Sequence, residues 1–432
     1  MLAIWLFVVA LLLALQYDAI AGRTFFDPDD AARVAQFHEL LTVGGWFAFD
    51  ADAANTLSTG SRLVDLPLYL VAALLRPIIG VWAAEQVAIV LIPFLLLLAT
   101  IMVVGRLAWR ILGVETSVFA CVSLAMMPVV LTQFLPMRVD YHGYHVLAVV
   151  LSVWSLSWRE TKKGAAICGL AMGPALVIGL DIVPFAFAFG LILLSRWLRD
   201  CHTREQLVVY TQILAVSAIG AFLVSRGWSD FAAYCNAISA PHLAFIVTAA
   251  IGIGAVASIP RIPPLTSIGL VAVVLGAATA AFAAFAPVCA NGIAGFGSTS
   301  AAPIWSLGSS ALVASLPQIV LGVGASFVLA QRSGGWLSEW WSEYTTLLVL
   351  GCVAAVWNAD SLAIVGAVSA IPVGWLAAGL FIWWSKTRKP VKKIFGAVAM
   401  TCILLPALFL IPALHIGQAD NMPVLQFAFL NR

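Results

Sequence analysis

Charge is what this 432-residue chain has least of: 10% of its residues are Asp, Glu, Lys or Arg, against 62% hydrophobic ones. Soluble proteins carry about 25% charged residues, so this balance excludes a soluble globular domain. The net charge of +2 leaves no basic surface on which a nucleic acid would bind. There is no Walker A motif, no HExxH and no GxSxG. The usual phosphate cradle, zinc helix and nucleophile elbow are therefore missing. Seven cysteines are scattered without CxxC or zinc spacing, most within apolar runs, and they read as small core residues. No low-complexity segment and no short repeat interrupts the chain.

What is there is apolar sequence, with a mean hydropathy of +1.03. Runs long enough to cross a hydrocarbon core of about 30 Å recur along the whole length. The expected fold is an all-α polytopic membrane protein of about thirteen transmembrane helices. The first run, 2–18, lacks a basic flank and reads as a retained span, not a signal peptide. Further spans are expected over 84–104, 116–135, 143–158, 164–180, 184–198, 207–225, 242–259, 265–286, 309–330, 344–357, 361–384 and 395–414.

The basic residues orient these spans. One set of loops holds Arg106 and Arg110, Arg159, Lys162 and Lys163, Arg196, Arg199 and Arg204, Arg261, Arg332, and the Lys386–Lys393 cluster. That set is expected in the cytoplasm. Residues 63–80 then fall in a first external loop, 19–83, as helices lying in the interface. Counting them as a span would reverse every later loop. Asp65, Pro67, Arg76 and Pro77 interrupt that run.

Four polar constellations collect on the external side. The first is Asp27-Pro28-Asp29-Asp30, followed by Arg33. Pro28 suits the first position of a helix, which puts Asp27 at its N-cap and Asp29 and Asp30 in its first turn. One acid suffices for capping, so two remain to be explained; the plain alternative is an amphipathic interfacial helix with surplus acid. The second is Arg138-Val139-Asp140-Tyr141-His142, with His145 one helical turn on, at the external turn 136–142. Asp and His suit a divalent cation, and Arg and His suit a phosphate. The alternative is interfacial anchoring by tyrosine with an Arg138–Asp140 pair. The third is Ser61-Arg62-Leu63-Val64-Asp65, which offers either a phosphate ligand or a local Arg–Asp pair. The fourth is Asp181, in a short external hairpin before Pro184. It is either a functional carboxylate or a helix cap. A Gly-rich stretch at 291–297 is too weak a signal to assign.

With acids in the first external loop and an Asp-Tyr-His turn in the second, the chain resembles the GT-C glycosyltransferases. Asp29-Asp30 through Gly45-Trp46-Phe47 is similar to the Asp-Glu…Gly-Asp-Trp pattern of aminoarabinose and protein mannosyl transferases. Asp27-Pro28 with Arg33 resembles the Asp-Pro…Arg pattern of oligosaccharyltransferase catalytic subunits. Arg138-Val139-Asp140-Tyr141-His142 resembles the Asp-His-His turn of their archaeal members. The Trp-Trp-Asp sequon motif does not occur here.

The resemblance implies a GT-C-like catalytic module over 1–185 and a variable transmembrane module over 186–432. It implies transfer of a sugar from a polyprenyl-phosphate-linked donor to a lipid or glycan acceptor. The setting would be the bacterial inner membrane, multi-pass, with the site facing the periplasm. Asp29 or Asp30, or by the oligosaccharyltransferase spacing Asp27, would be the catalytic acid. Arg138, His142, Arg62, Tyr141 and His145 would surround the donor phosphate. Asp140 and His142 would hold a divalent cation, Mg²⁺ or Mn²⁺. Asp65, Asp181 and Arg33 would support them. The rival reading is a transporter or lipid flippase with Asp140 and Asp181 as coupling-ion sites.

Overall fold

The computed structural model describes residues 1–25, 27–47, 61–158, 162–227, 233–235, 237–260, 263–287, 289, 304 and 309–404. The Gly-rich stretch at 291–297 and the end of the last expected span lie outside them. Among the described residues the chain is helical and contains no strand.

The helices run in order as α1 (Leu2–Leu15), α2 (Tyr17–Gly22), α3 (Pro28–Thr42), α4 (Asp65–Leu112), α5 (Val114–Met126), α6 (Pro128–Leu131), α7 (His142–Leu156) and α8 (Lys162–Ile178). They continue as α9 (Val183–Arg199), α10 (Arg204–Arg226), α11 (Ala240–Ser258), α12 (Pro264–Phe285), α13 (Ser309–Arg332), α14 (Trp336–Trp357), α15 (Ser361–Lys386) and α16 (Pro390–Leu404). By length and composition, 6 of these are apolar and long enough to cross a membrane, or up to 7 if a bent pair counts as one span. The sequence suggested about thirteen spans. Two apolar helices, α1 and α7, are shorter than a full span; α7 begins at His142, inside the polar turn itself.

Two departures from the expected spans shape the end of the bundle that carries the polar constellations. Residues 63–80 do not end before the next span. They run into it as one 48-residue helix, α4, broken at Gly80 with φ +81°. Only glycine adopts that backbone readily, so Gly80 turns the first part of α4 away from the spanning part. The expected span 116–135 is likewise not continuous: α5 and the α6 segment after it meet at 68°. Met127 leaves the helix with ψ 119° ahead of Pro128, as the residue before a proline tends to do.

One apolar core runs through both halves of the chain, from Val8 and Leu12 of α1 to Ile371 of α15. In α15 every residue from Ser361 to Gly374 is buried, which is how a helix apolar on all sides behaves in a bundle. Small residues let these helices approach closely. A Cβ on Gly374 would come within 2.5 Å of the Ala120 backbone nitrogen on α5. At the opposite end from the sequence constellations, Arg196 locks α9 to α14. Its Nε and Nη2 donate to Glu343 at 3.0 and 2.6 Å, and its Nη1 donates to Gln206 at 3.1 Å. Removing one partner of such a buried pair costs about 3–5 kcal/mol.

A second, smaller core lies under α3 and the first part of α4. It joins Val34, Phe37, Leu40 and Leu41 of α3 to Leu68, Ala72, Ala88 and Ile89 of α4 and to Met137 and Val139. Glu85, 1% exposed, pins the layer by pairing with Arg23 at 3.1 Å and His38 at 2.6 Å.

The cysteines need a correction. Cys235 and Cys289, 54 residues apart, form a disulfide; only Cys121 and Cys168 are buried core thiols, while Cys201 and Cys402 are exposed. The antiparallel α11–α12 pair brings the two ends together, which no sequence spacing reveals.

Two outcomes follow. Gly374→Ala forces α15 away from α5 and lowers stability by about 1–3 kcal/mol, read as a reduced melting midpoint in detergent. Thiol labelling of unreduced protein marks Cys201 and spares Cys235 and Cys289 until a reductant is added; labelling of Cys235 before reduction contradicts the disulfide.

Candidate active site

Helix α3 is built from its first residue. Asp27 has extended backbone (φ −130°, ψ 141°) and its side chain accepts from the Asp29 nitrogen at 3.0 Å. This is an N-cap, and it takes up one of the three acids. Asp29 is exposed, whereas Asp30 is buried. The two positions share a first turn but point to different sides of α3, and only Asp30 turns inward.

Asp30 meets the second constellation directly. Its Oδ1 accepts from the Val139 nitrogen at 2.9 Å. Its Oδ2 is buried and has no hydrogen-bond partner among the described residues. Burial, then the charge of Asp140, push the carboxyl up to about 7, against the opposing pull of Arg138 and the Val139 N–H. Three residues on, Arg33 lies on the same face of α3. It reaches the third constellation, with Nε 3.3 Å from Asp65 Oδ1 and Nη2 donating to the Ser61 carbonyl at 2.8 Å. Helix α3 thus holds two of the other constellations by two side chains one turn apart.

The turn after α6 carries the densest charge. Arg138 is buried, and its Nη2 donates to Asp140 Oδ2 at 2.6 Å. Burial works against the guanidinium, yet the carboxylates of Asp140, Asp30, Asp27 and Asp360 together hold its pKa above the ordinary value. Asp140 experiences the converse. Burial opposes its charge, and Arg138, His142 and the His142 N–H outweigh it, so its pKa is lowered. The cluster therefore contains one firmly ionised carboxylate, Asp140, beside one poised near neutrality, Asp30.

The remaining candidates take different places. Arg62 donates to Asp65 Oδ2 at 3.4 Å. Tyr141 donates its hydroxyl to Asp181 Oδ2. Burial first, and Asp181 second, keep that phenol neutral, well above its ordinary pKa. Asp181 so fastens the α8–α9 hairpin to the start of α7. His145 is buried, with Nε2 donating to the Ala175 carbonyl at 3.1 Å, which engages that nitrogen away from the cluster.

Two residues join the site that sequence reading did not single out. Asp360, in the turn between α14 and α15, places Oδ2 3.5 Å from His142 Nε2. The signal was available: a carboxylate in a short turn between apolar helices, the same pattern that drew attention to Asp181. Gln133 lines a small cavity with Leu68, Arg138, Asp140 and Tyr144, and its buried amide oxygen has no partner among the described residues. It became visible only because the expected span is broken there.

Asp140, His142 and Asp360 supply carboxylate oxygens and an imidazole nitrogen, which suit a divalent cation. Their ligand atoms are gathered but do not close on one point. Among the described residues, the group that does close, within 4.8 Å, is the exposed Asp200, Cys201 and His202 at the opposite end of α9.

No protein-family model and no curated protein matches the sequence. The fold does have counterparts. The archaeal oligosaccharyltransferase AglB from Archaeoglobus fulgidus, in complex with an inhibitory peptide and a dolichol-phosphate, superposes with a TM-score of 0.67 at 12% identity, over 96% of this chain and 55% of that one. The same enzyme in complex with Zn and sulfate gives a TM-score of 0.61 at 13% identity, over 95% of this chain and 52% of that one. ArnT from Cupriavidus metallidurans, bound to undecaprenyl phosphate, gives only 0.36 at 14% identity, over 89% of this chain and 81% of that one. The chain spans about half the length of the AglB structures it matches. With an all-helical bundle that superposes over nearly its whole length on AglB, the chain shares the fold of the part of AglB that it matches.

Proposed function

We propose that the protein is a membrane glycosyltransferase that moves a sugar from a polyprenyl-phosphate-linked donor to a lipid or glycan acceptor at the outer face of a bacterial inner membrane. The observation that carries this reading is the hydrogen bond from the Val139 nitrogen to Asp30 Oδ1 at 2.9 Å. It joins an acid of the first external loop to the Arg138-Asp140-His142 turn, so a carboxyl near neutrality and a phosphate-binding guanidinium share one site. The dolichol-phosphate held by AglB supports a lipid phosphate as donor here.

The disulfide supports the orientation. Ser225, near the end of α10, accepts from the Arg62 nitrogen at 3.0 Å, so α10 ends beside the site, and Cys235 follows shortly after. A disulfide on that side fits an oxidising compartment.

In the proposed reaction Asp30 Oδ2 takes the acceptor hydroxyl proton as the acceptor oxygen bonds to the anomeric carbon. The bond from that carbon to the phosphate oxygen breaks on the opposite face, with inversion, and the phosphate leaves with the electron pair. Arg138 and His142 neutralise the charge that develops on it. Arg62 and Arg33, tied to Asp65, hold α3 and the start of α4 in register. Asp140 fixes Arg138 through their 2.6 Å pair and fixes the backbone of His142 by accepting its N–H at 3.1 Å. Asp140 and His142 carry the donor chemistry that suits Mg²⁺ or Mn²⁺, but with Asp140 paired to Arg138 at 2.6 Å they do not form a closed cation site among the described residues.

Release of free polyprenyl phosphate from a polyprenyl-phosphate sugar by the reconstituted protein tests the reading. Asp30→Asn is expected to slow release by about 10²–10⁴-fold, and Asp29→Asn to leave most of it. Full activity in Asp30→Asn would remove Asp30 from the base role. The pH dependence has a definite sign. A base works ionised, and Asp30 ionises at about 7, so the rate climbs between about pH 6 and about pH 8 and levels off above. A flat profile over that range contradicts the assignment.

A further inference from the structure

The end of the bundle away from Asp30 and Arg138 holds a cavity of about 730 Å³. It lies where α4 ends, α5 begins, α13 ends and the second half of α15 passes, about 20–30 Å along α15 from Asp360. Trp375, Leu376 and Ile382 of α15 give it an apolar wall. Glu115, Thr116 and Arg332 supply its polar groups. A Cβ on Gly379, in the same wall, would meet nothing within 4 Å, so the space there is open.

The polar groups are not spent on one another. Glu115 and Arg332 border the same cavity, yet neither makes an ion pair or a side-chain hydrogen bond among the described residues. Helix α5, 13 residues long, starts at this cavity with no side-chain cap on its first-turn N–H groups. Such groups attract an anion. Thr116, in that first turn, is 4% exposed, and its hydroxyl has no hydrogen-bond partner among the described residues. Burying a hydroxyl without a partner is costly, so its place in the wall calls for a partner in whatever fills the cavity.

The surroundings indicate what that is. Trp109, Trp336 and Trp383 are exposed at this end, and Arg106, Arg110, Lys386 and Arg388 lie beside them in the chain. Exposed tryptophans among basic residues mark the level of lipid headgroups. We propose that the cavity seats the phosphoethanolamine head of a membrane phospholipid. Arg332, the Thr116 hydroxyl and the start of α5 receive the phosphate, Glu115 receives the ammonium, and an acyl chain runs along Trp375, Leu376 and Ile382. A phosphate and an ammonium in one head match a base and an acid that border one cavity without pairing. A purely anionic head would leave Glu115 facing like charge. The site is separate from that of the proposed sugar transfer and does not rest on it.

Native mass spectrometry of the full-length protein in detergent, given equal amounts of dioleoyl phosphatidylethanolamine and dioleoyl phosphatidylglycerol, reads the site. The parent is expected to retain phosphatidylethanolamine in preference to phosphatidylglycerol. Arg332→Ala should lower that retention by about 10-fold and Thr116→Val by about 3-fold. Glu115→Gln should reverse the preference, since the acid is what selects the ammonium. Gly379→Phe places a ring in open space and should expel the lipid with an unchanged melting midpoint. The proposal is overturned if the parent favours phosphatidylglycerol, retains both lipids equally or retains neither. It is overturned too if Gly379→Phe holds the lipid as the parent does.

Discussion

Everything at the polar end of this bundle depends on how acids are kept around a buried arginine. Asp140 meets Arg138 directly; Asp30, Asp27 and Asp360 reach it by charge. Without that guanidinium the carboxylates would repel one another in a poorly solvated setting, where isolated charges are expensive. Without the carboxylates the guanidinium would be equally costly. The cluster is not balanced, since more acids surround Arg138 than one cation neutralises. Asp30 carries the imbalance by holding its proton up to about 7. Any anion that enters a site with surplus negative charge needs positive charge beside it, which Arg138 and His142 are placed to supply.

That arrangement makes α3 a connector. Asp30 and Arg33 sit one turn apart and reach two different loops, Asp30 to Val139 and Arg33 to Asp65 and Ser61. The underside of the same helix buries Val34, Phe37 and Leu41 against α4. The polar contacts set register and the apolar contacts supply the larger share of stabilisation, at about 25 cal/mol per Å² buried. Displacing α3 would break both at once. Asp30 Oδ2, which has no hydrogen-bond partner among the described residues, is therefore held in place by contacts it does not itself make.

Much of this was legible in the sequence where the rule is local. Asp27-Pro28 marks a helix start because capping and the fixed φ of proline act within a few residues, and α3 begins there. The alternation of apolar runs and basic loops is a property of composition along the chain, so spans and a proposed orientation can be read from it. The break in the span at 116–135 was signalled by Pro128, but hydropathy averages over such a residue and hides it. The Cys235–Cys289 pair and the His142–Asp360 contact were not legible. Each joins residues whose proximity is decided by helix packing, at glycines such as Gly366 whose significance lies in the neighbour they admit.

The same reasoning bears on how far the two halves of the chain can be considered separately. The sequence constellations fall within residues 1–185, and resemblance suggests that the rest varies. Yet the Arg62 nitrogen is held by Ser225, and Asp360 Oδ2 lies 3.5 Å from His142 Nε2. The main core is continuous from α1 to α15. A helix such as α15, buried on every side for its first half, cannot be repacked without moving the turn above it. Variation in the second half is thus constrained where α10 and α15 end beside the site. It is freest on faces such as that of α12, where only 17% of the apolar stretch is buried.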